Sequence, residues 1–152
     1  MPVHSLHVFD RKGKTLFTKC YAQNKANKVD DGEQLSEKRK LVFGMLFSLK
    51  EVAASLSPSS IKDNGVHSVQ TGASTCYCLE TASGLRFALY ITDDADKTHA
   101  RSIRKAMQHA YNDIWIQSVV RSPLYNPVTP NVQATNFETN LDAFLVSQSW
   151  YR

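Results

Sequence analysis

The chain begins with two short stretches in which apolar and polar side chains interleave, at residues 3–9 and 15–21. Short runs of this kind, rich in valine, leucine, phenylalanine and threonine, are typical of β-strands. Asp10 and Gly13 lie between them. Aspartate can bond its own backbone, and glycine takes the positive φ that closes such loops. The pattern therefore predicts an N-terminal β-hairpin.

A long amphipathic helix is predicted over residues 35–56, after a polar stretch at 23–34 that we expect to be a mobile loop. Apolar side chains recur at helical spacing and form one stripe. Ser57-Pro58 ends the pattern, because the residue before a proline disfavours helical backbone. The predicted core stripe consists of Leu35, Val42, Met45, Leu46, Leu49, Val52, Ala53 and Leu56.

Three strands follow, at residues 66–71, 75–81 and 85–92, separated by glycine-containing turns. The resulting order, ββ-α-βββ-αα, predicts an α+β fold with a five-stranded, mainly antiparallel sheet and helices packed on it. The hairpin and the three later strands can form one sheet only if one hairpin strand lies beside one of the later strands in the middle of the sheet. No internal repeat or linker divides the chain, so residues 1–152 are predicted to form one domain.

Two helices end the pattern, the first over residues 97–121 and the second opened by a capping box of Thr135 with Glu138. Near the end of the first, Ile114-Trp115-Ile116 and Val119-Val120 are apolar nearly all round. This is more apolar surface than one helix on one sheet can bury. Either the last helix or a partner covers it.

Composition and charge narrow the class of protein. The chain is 42% hydrophobic and 21% charged, which is ordinary globular composition, and it carries three cysteines. Cys76 and Cys78 are two apart on a predicted strand, so they share a face and are read as small buried hydrophobes. Apolar runs are far shorter than the ~18 residues of a membrane span, and no signal peptide is visible. We expect a cytoplasmic protein with unlinked, metal-free thiols.

Motifs for catalysis or for metal binding are not found. Gly13-Lys14-Thr15 resembles the end of a P-loop but lacks the upstream glycine, and Asp93, Asp94 and Asp96 lack the later glutamate of an EF-hand. The +4 net charge comes with two basic clusters, Lys38-Arg39-Lys40 and Arg101, Arg104, Lys105. They are read as solvated helix faces, with an acidic partner or anionic membrane as the alternative. We expect no catalytic residue, no cofactor, no metal, no nucleic-acid partner and at most peripheral membrane contact.

The helix at 35–56 is apolar on a second side. At about 100° per residue, Phe43 and Phe47 fall well away from the core stripe, beside the small Gly44 and Ser48. Such a patch marks a contact surface, unless the last helices or the 23–34 loop cover it internally. The predicted partner-binding residues are Phe43, Gly44, Phe47 and Ser48, with Lys40 and Glu51 beside them and Trp115 and Val119 on the second long helix.

Residues 6–13 read Leu-His-Val-Phe-Asp-Arg-Lys-Gly, and residues 41–49 read Leu-Val-Phe-Gly-Met-Leu-Phe-Ser-Leu. Together they resemble the Bet-five type of small longin-fold subunit of the TRAPP vesicle-tethering complex. The likeness covers nearly the whole chain. Departures from it are the polar insertion at 23–34, an extra residue at Asn64 and a longer loop at 122–135. Further matches are Ser57-Pro58 with Lys62-Asp63, residues 79–84 and residues 119–124.

The resemblance implies a longin fold and a place in the core of an assembly that activates a Rab-type GTPase for endoplasmic reticulum-to-Golgi transport. It also implies pairing with a second longin-fold subunit, contact with a Bet-three type subunit, and association with the Golgi and endoplasmic reticulum. A longin or adaptor-type module of another trafficking complex would share this fold. A small α+β enzyme would instead show a pocket with convergent polar groups.

Overall fold

A computed structural model describes residues 3–21, 31–58, 66–72, 74–92, 99–124, 126 and 136–151. The strands are β1 Val3–Phe9, β2 Thr15–Cys20, β3 Ser68–Gln70, β4 Ser74–Glu80 and β5 Arg86–Thr92. The helices are α1 Asp31–Leu56, α2 Ala100–His109 and α3 Phe137–Val146. A π-helical segment, Ala110–Val120, continues α2 directly, and a 3₁₀ turn, Ser149–Tyr151, follows α3.

The strands form one antiparallel sheet in the order β2-β1-β5-β4-β3. β1 and β5 lie side by side in the middle, with Leu6 opposite Leu89 and Val8 opposite Phe87. This pairing joins the N-terminal hairpin to the later strands, as the apolar pattern of β1 predicts. The predicted α+β fold, with one five-stranded antiparallel sheet and the order ββ-α-βββ-αα, is confirmed.

The two faces of the sheet carry separate hydrophobic clusters, because successive side chains of a strand point to opposite faces. The larger cluster packs the sheet against α2, the π-helical segment and α3. Its most buried members include Val8, Phe87, Leu89, Trp115, Phe137 and Leu141. The smaller cluster packs α1 on the other face, around Phe9, Leu46, Cys76 and Ala88. The helices therefore form two layers, with the sheet between them.

The start of α1 corrects the predicted loop boundary. Residues 31–34 are helical, so the helix begins at Asp31 rather than at residue 35. The rest of the predicted mobile loop, residues 23–30, lies outside the described residues, as do the side chain of Leu35 and the acidic cluster at 93–96. None of the helices in the described part of the chain is long and apolar enough to cross a membrane.

The apolar end of the second long helix is covered from inside the molecule. Trp115 is 2% exposed and Val119 is 1% exposed. The Trp115 ring meets Phe137 of α3 at 5.0 Å and Phe87 of β5 at 5.8 Å, both edge-on. The prediction that Trp115 and Val119 bind a partner is therefore wrong. α3 supplies the second apolar surface that this helix needs.

A polar contact ties α3 to the edge strand β2. Lys19 pairs with Glu138 at 2.8 Å and also with Asp142, which accepts a hydrogen bond from Tyr21 Oη at 3.0 Å. Burial and the nearby Asp142 carboxylate raise the pKa of Tyr21, which keeps it a hydrogen-bond donor. The residue at the helix N-cap is Asn136, with no side-chain cap bond. Thr135 of the predicted capping box lies outside the described residues.

Candidate partner-binding face of helix α1

Phe43 is half-buried and lies on the sheet side of α1. Its ring meets Phe9 of β1 edge-on at 5.7 Å between centroids. A Cβ atom placed on Gly13, which has φ +88°, would lie 2.8 Å from Cε1 of Phe43. The β1–β2 turn therefore fits under the ring because residue 13 has no side chain. The prediction that Phe43 lies on the solvent flank is corrected, because the β1–β2 turn packs against its ring.

Phe47 is the exposed member of the aromatic pair. It is 46% exposed and stacks on Phe43, with ring centroids 6.2 Å apart and planes inclined by 26°. The guanidinium carbon of Arg86 lies 5.2 Å from the Phe43 centroid and 5.6 Å from the Phe47 centroid. A cation at this distance is attracted to the rings and restrains them.

The predicted residues Lys40, Gly44, Phe47, Ser48 and Glu51 are all exposed on one side of α1. A Cβ placed on Gly44 would have no heavy atom within 4 Å. At 3.6 residues per turn, Gly44 and Ser48 run along the middle of this side. We call this surface the outer face of α1. It consists of Lys40, Leu41, Gly44, Phe47, Ser48, Glu51 and Val52.

The outer face holds apolar residues that the sequence pattern does not mark as exposed. Leu41 is 72% exposed and Val52 is 52% exposed, and beyond the face Leu56 is 81% exposed. Val52 and Leu56 belong to the predicted core stripe, so that part of the prediction is wrong. By contrast, Leu46 is 5% exposed and sits in the smaller cluster.

Two different causes leave apolar residues of α1 exposed. Leu41 and Val52 lie on the side of the helix away from the sheet, about 140° and 120° around the axis from Leu46 at about 100° per residue. Leu56 is exposed because it lies at the end of a helix of 26 residues, which is about 39 Å long. A strand of seven residues is only about 23 Å long. Comparing the length of the apolar run with that span is the signal that finds Leu56.

A buried polar group lies beneath α1. His7 of β1 is 4% exposed, and its ring nitrogens lie 3.4 Å from Ser5 Oγ and 3.2 Å from Thr18 Oγ1. Burial, with Arg39 of α1 as a smaller cause, lowers the pKa of His7 to about 4. His7 is therefore a neutral hydrogen-bonding side chain at physiological pH.

Two thiols face α1 from the sheet. The Sγ atoms of Cys76 and Cys78 are 3.8 Å apart, which confirms that they share a face. A hydrogen bond from Cys78 lowers the pKa of Cys76, and the same contact with burial raises the pKa of Cys78. Within the described residues, no group of three or more His, Cys, Asp or Glu could hold a metal ion. Unlinked, metal-free thiols stay a prediction.

A family model described as Sybindin-like matches residues 3–148. The chain belongs to the Sybindin-like family. Several relatives are named Trafficking protein particle complex subunit 1. The one from Rattus norvegicus is 31% identical over 99% of this chain and 97% of its own. The one from Dictyostelium discoideum is 26% identical, with 94% of each chain covered. Trafficking protein particle complex subunit BET5 of Saccharomyces cerevisiae is 31% identical over 78% of this chain and 72% of its own.

These names confirm the expected likeness of this Sybindin-like chain to small TRAPP subunits. Among solved structures, Myxococcus xanthus MglB aligns with a TM-score of 0.47 and 12% identity, over 69% of this chain and 76% of that chain. That similarity is too low for a comparison of residues. The departures at residues 23–34, Asn64 and 122–135 fall largely outside the described residues.

In this Sybindin-like chain, three of the segments that carry the TRAPP resemblance meet in space: residues 6–13, 41–49 and 79–84. Phe43 rests on the Gly13 turn, and Lys50 Nζ donates to Glu80 Oε1 across 2.7 Å. Arg11 Nη2 donates to the carbonyl oxygen of Ser83 at 3.5 Å, which joins the two hairpin turns. One end of the sheet and the middle of α1 therefore form one continuous surface.

Proposed function

We propose that this chain is a non-catalytic core subunit of a TRAPP-type vesicle-tethering assembly, and that the outer face of α1 is a partner-binding surface. The second longin-fold subunit is the proposed partner there, with a Bet-three type subunit elsewhere on the molecule. The observation that carries the proposal is the exposure of Leu41, Phe47 and Val52 on one face of a well-packed subunit. Contiguous exposed apolar side chains in a soluble domain favour a contact surface.

The small residues of the outer face support close packing of a partner. Gly44 and Ser48 project little from the helix, while Leu41, Phe47 and Val52 project on either side of them. A partner helix or strand can therefore approach the α1 backbone and contact apolar side chains on both flanks. Interfaces of this kind have an aromatic or aliphatic centre with a polar rim. Lys40 and Glu51 are suited to that rim.

The assembly is proposed to act as a nucleotide exchange factor for a Rab-type GTPase in endoplasmic reticulum-to-Golgi transport, on the cytoplasmic side of those membranes. Exchange requires a surface that engages the switch regions and disturbs the Mg²⁺ and phosphate contacts of the nucleotide. A platform composed of several subunits suits this task better than one face of one domain. The names of the relatives as complex subunits support this proposal.

The test is association with the other TRAPP subunits of the same organism after Phe47→Asp. Phe47 is 46% exposed, so the charge stays in solvent in the free subunit and enters an apolar contact in the assembly. We expect a cooperatively folding protein that no longer co-purifies with the co-expressed second longin-fold subunit but still binds the Bet-three type subunit.

Leu46→Asp is the matched control. Leu46 is 5% exposed, so a carboxylate there is placed in the core and should unfold the domain, as followed by circular dichroism. Normal co-purification of folded Phe47→Asp protein with the second longin-fold subunit would show that the outer face does not bind it.

A further inference from the structure

Arg86 lies at the first position of β5, beneath the outer face of α1. Its guanidinium contacts both phenylalanine rings, and it lines a pocket between α1 and the ends of β4 and β5. Other side chains that line this pocket are Leu46, Lys50, Cys78, Leu79 and Glu80. Arg86 therefore connects the pocket to the outer face, because it lines the pocket and also contacts Phe47.

The Nη1 atom of Arg86 is buried and has no hydrogen-bond acceptor among the residues that the structure describes. A buried donor without an acceptor is unfavourable, and more so when it belongs to a charged group. Arg86 as a whole is only half-buried, and the neighbouring Phe47 ring is 46% exposed.

The two carboxylates at this end of the sheet, Glu80 and Asp10, are already engaged. Glu80 pairs with Lys50 at 2.7 Å. Asp10 accepts hydrogen bonds from the backbone N–H groups of Lys12 and Lys14 at 2.9 and 2.8 Å. The cations at this end of the sheet, Arg11, Lys12, Lys14, Lys50 and Arg86, outnumber these acids. The local field therefore favours a negative group on whatever docks here.

We propose that Arg86 anchors an aspartate or glutamate side chain of the partner that packs on the outer face of α1. The carboxylate accepts a hydrogen bond from Nη1, and the apolar part of the same partner segment covers Phe47. This inference rests on the proposed partner-binding role of α1 and adds the chemistry of the partner. Arginine suits the role, because its planar guanidinium binds a carboxylate and stacks on aromatic rings at once.

The experiment measures the dissociation constant between this chain and the purified second longin-fold TRAPP subunit of the same organism, by biolayer interferometry at 50, 150 and 500 mM NaCl. The variants are Arg86→Met, which keeps an apolar stem on the rings, and Arg86→Lys, which keeps only the charge. Thermal unfolding of each variant shows whether it folds. We expect Arg86→Met to weaken binding about tenfold or more and to flatten its salt dependence, with Arg86→Lys intermediate.

Two outcomes would overturn this inference while the partner-binding role stands. One is that Arg86→Met binds like the natural chain although Phe47→Asp abolishes binding. The other is that the natural chain binds equally well at every salt concentration. That result would contradict the Arg86–carboxylate contact even if Arg86→Met does not fold. If Phe47→Asp also binds normally, the partner-binding role itself fails.

Discussion

Phe43 and Phe47 are one helical turn apart, yet they have different surroundings. The Gly13 turn and Phe9 lie beneath Phe43, so its ring is half-buried. Phe47 is farther along the helix and stays 46% exposed, held by Phe43 and Arg86. A charge at Phe43 would therefore disturb folding and binding together, whereas a charge at Phe47 tests binding with the fold intact.

His7 should make the stability of the protein depend on pH. Burial lowers its pKa from the ordinary value of 6.5 to about 4 in the folded chain. The unfolded chain therefore binds the proton more readily, and stability falls as the pH drops from about 6.5 towards 4. Between pH 7.5 and pH 5.0 the expected loss is about 2 kcal/mol, since one pKa unit corresponds to about 1.4 kcal/mol.

The measurement is urea unfolding of the natural chain and of His7→Gln at these two pH values. Glutamine can still hydrogen-bond to Ser5 and Thr18 but does not titrate, so the variant should lose about 2 kcal/mol less than the natural chain. Equal losses in the two proteins would show that His7 protonates as easily in the folded state as in the unfolded chain.

The inner side of helix α1 packs on the sheet, and its outer face is exposed to solvent. Leu46 is buried against Phe9, Cys76 and Ala88, while Leu41 and Val52 are exposed. The helix keeps Gly44 at its centre although glycine weakens a helix interior. Because a side chain at residue 44 would meet no atom of the subunit, the fold itself does not require glycine there. Close approach of a partner backbone would explain it.

Gly44→Ala should separate the effect of residue 44 on helix stability from its effect on partner binding. Alanine is favoured over glycine inside a helix by about 0.8–1 kcal/mol, so the isolated chain should become more stable by roughly that amount. The added methyl group should weaken association with the second longin-fold subunit. Denaturant unfolding measures the first effect, and the dissociation constant measures the second.

Ala54→Gly, the reverse change at an exposed position of the same helix, is the stability control and should cost a similar amount. Unchanged association of a stabilised Gly44→Ala chain would show that the partner does not approach residue 44 closely.

The two layers of helices cover the sheet differently. α2, the π-helical segment and α3 cover one face and bury Trp115, Phe137 and Leu141 almost completely. Some apolar side chains of this layer still reach solvent, among them Val120 and Val146, which are 45% and 58% exposed. Among the described residues, α1 is the helix that packs on the other face, and its outer face is the surface that we propose for partner binding.

The isolated chain should not accelerate nucleotide exchange, because one helix face cannot both hold a GTPase and disturb its nucleotide site. The assay is release of a fluorescent GDP analogue from the cognate Rab-type GTPase. We expect acceleration by the complete TRAPP core, none by this subunit alone, and a large loss from a core that lacks it. Exchange by the isolated subunit that equals the full core would refute a composite platform, and undiminished exchange without it would show that it is dispensable.

The local elements follow from the sequence, because period-two and period-3.6 patterns and turn residues act over a few neighbours. The hairpin with its Gly13 turn, the five strands and the stripe around Leu46 are therefore predictable. So is the central position of β1, since apolar residues on both faces of a strand favour it. Which of the three later strands pairs with β1 is seen only in the structure, where it is β5.

Which apolar surfaces end up covered depends on contacts between distant segments. Trp115 and Phe47 look alike as surplus apolar residues on their helices. Trp115 is buried because α3 folds back onto it from residues 137–146, whereas Phe47 has no such layer among the described residues and is 46% exposed. Periodicity cannot distinguish them, because burial is set by which distant element packs on each face of a helix.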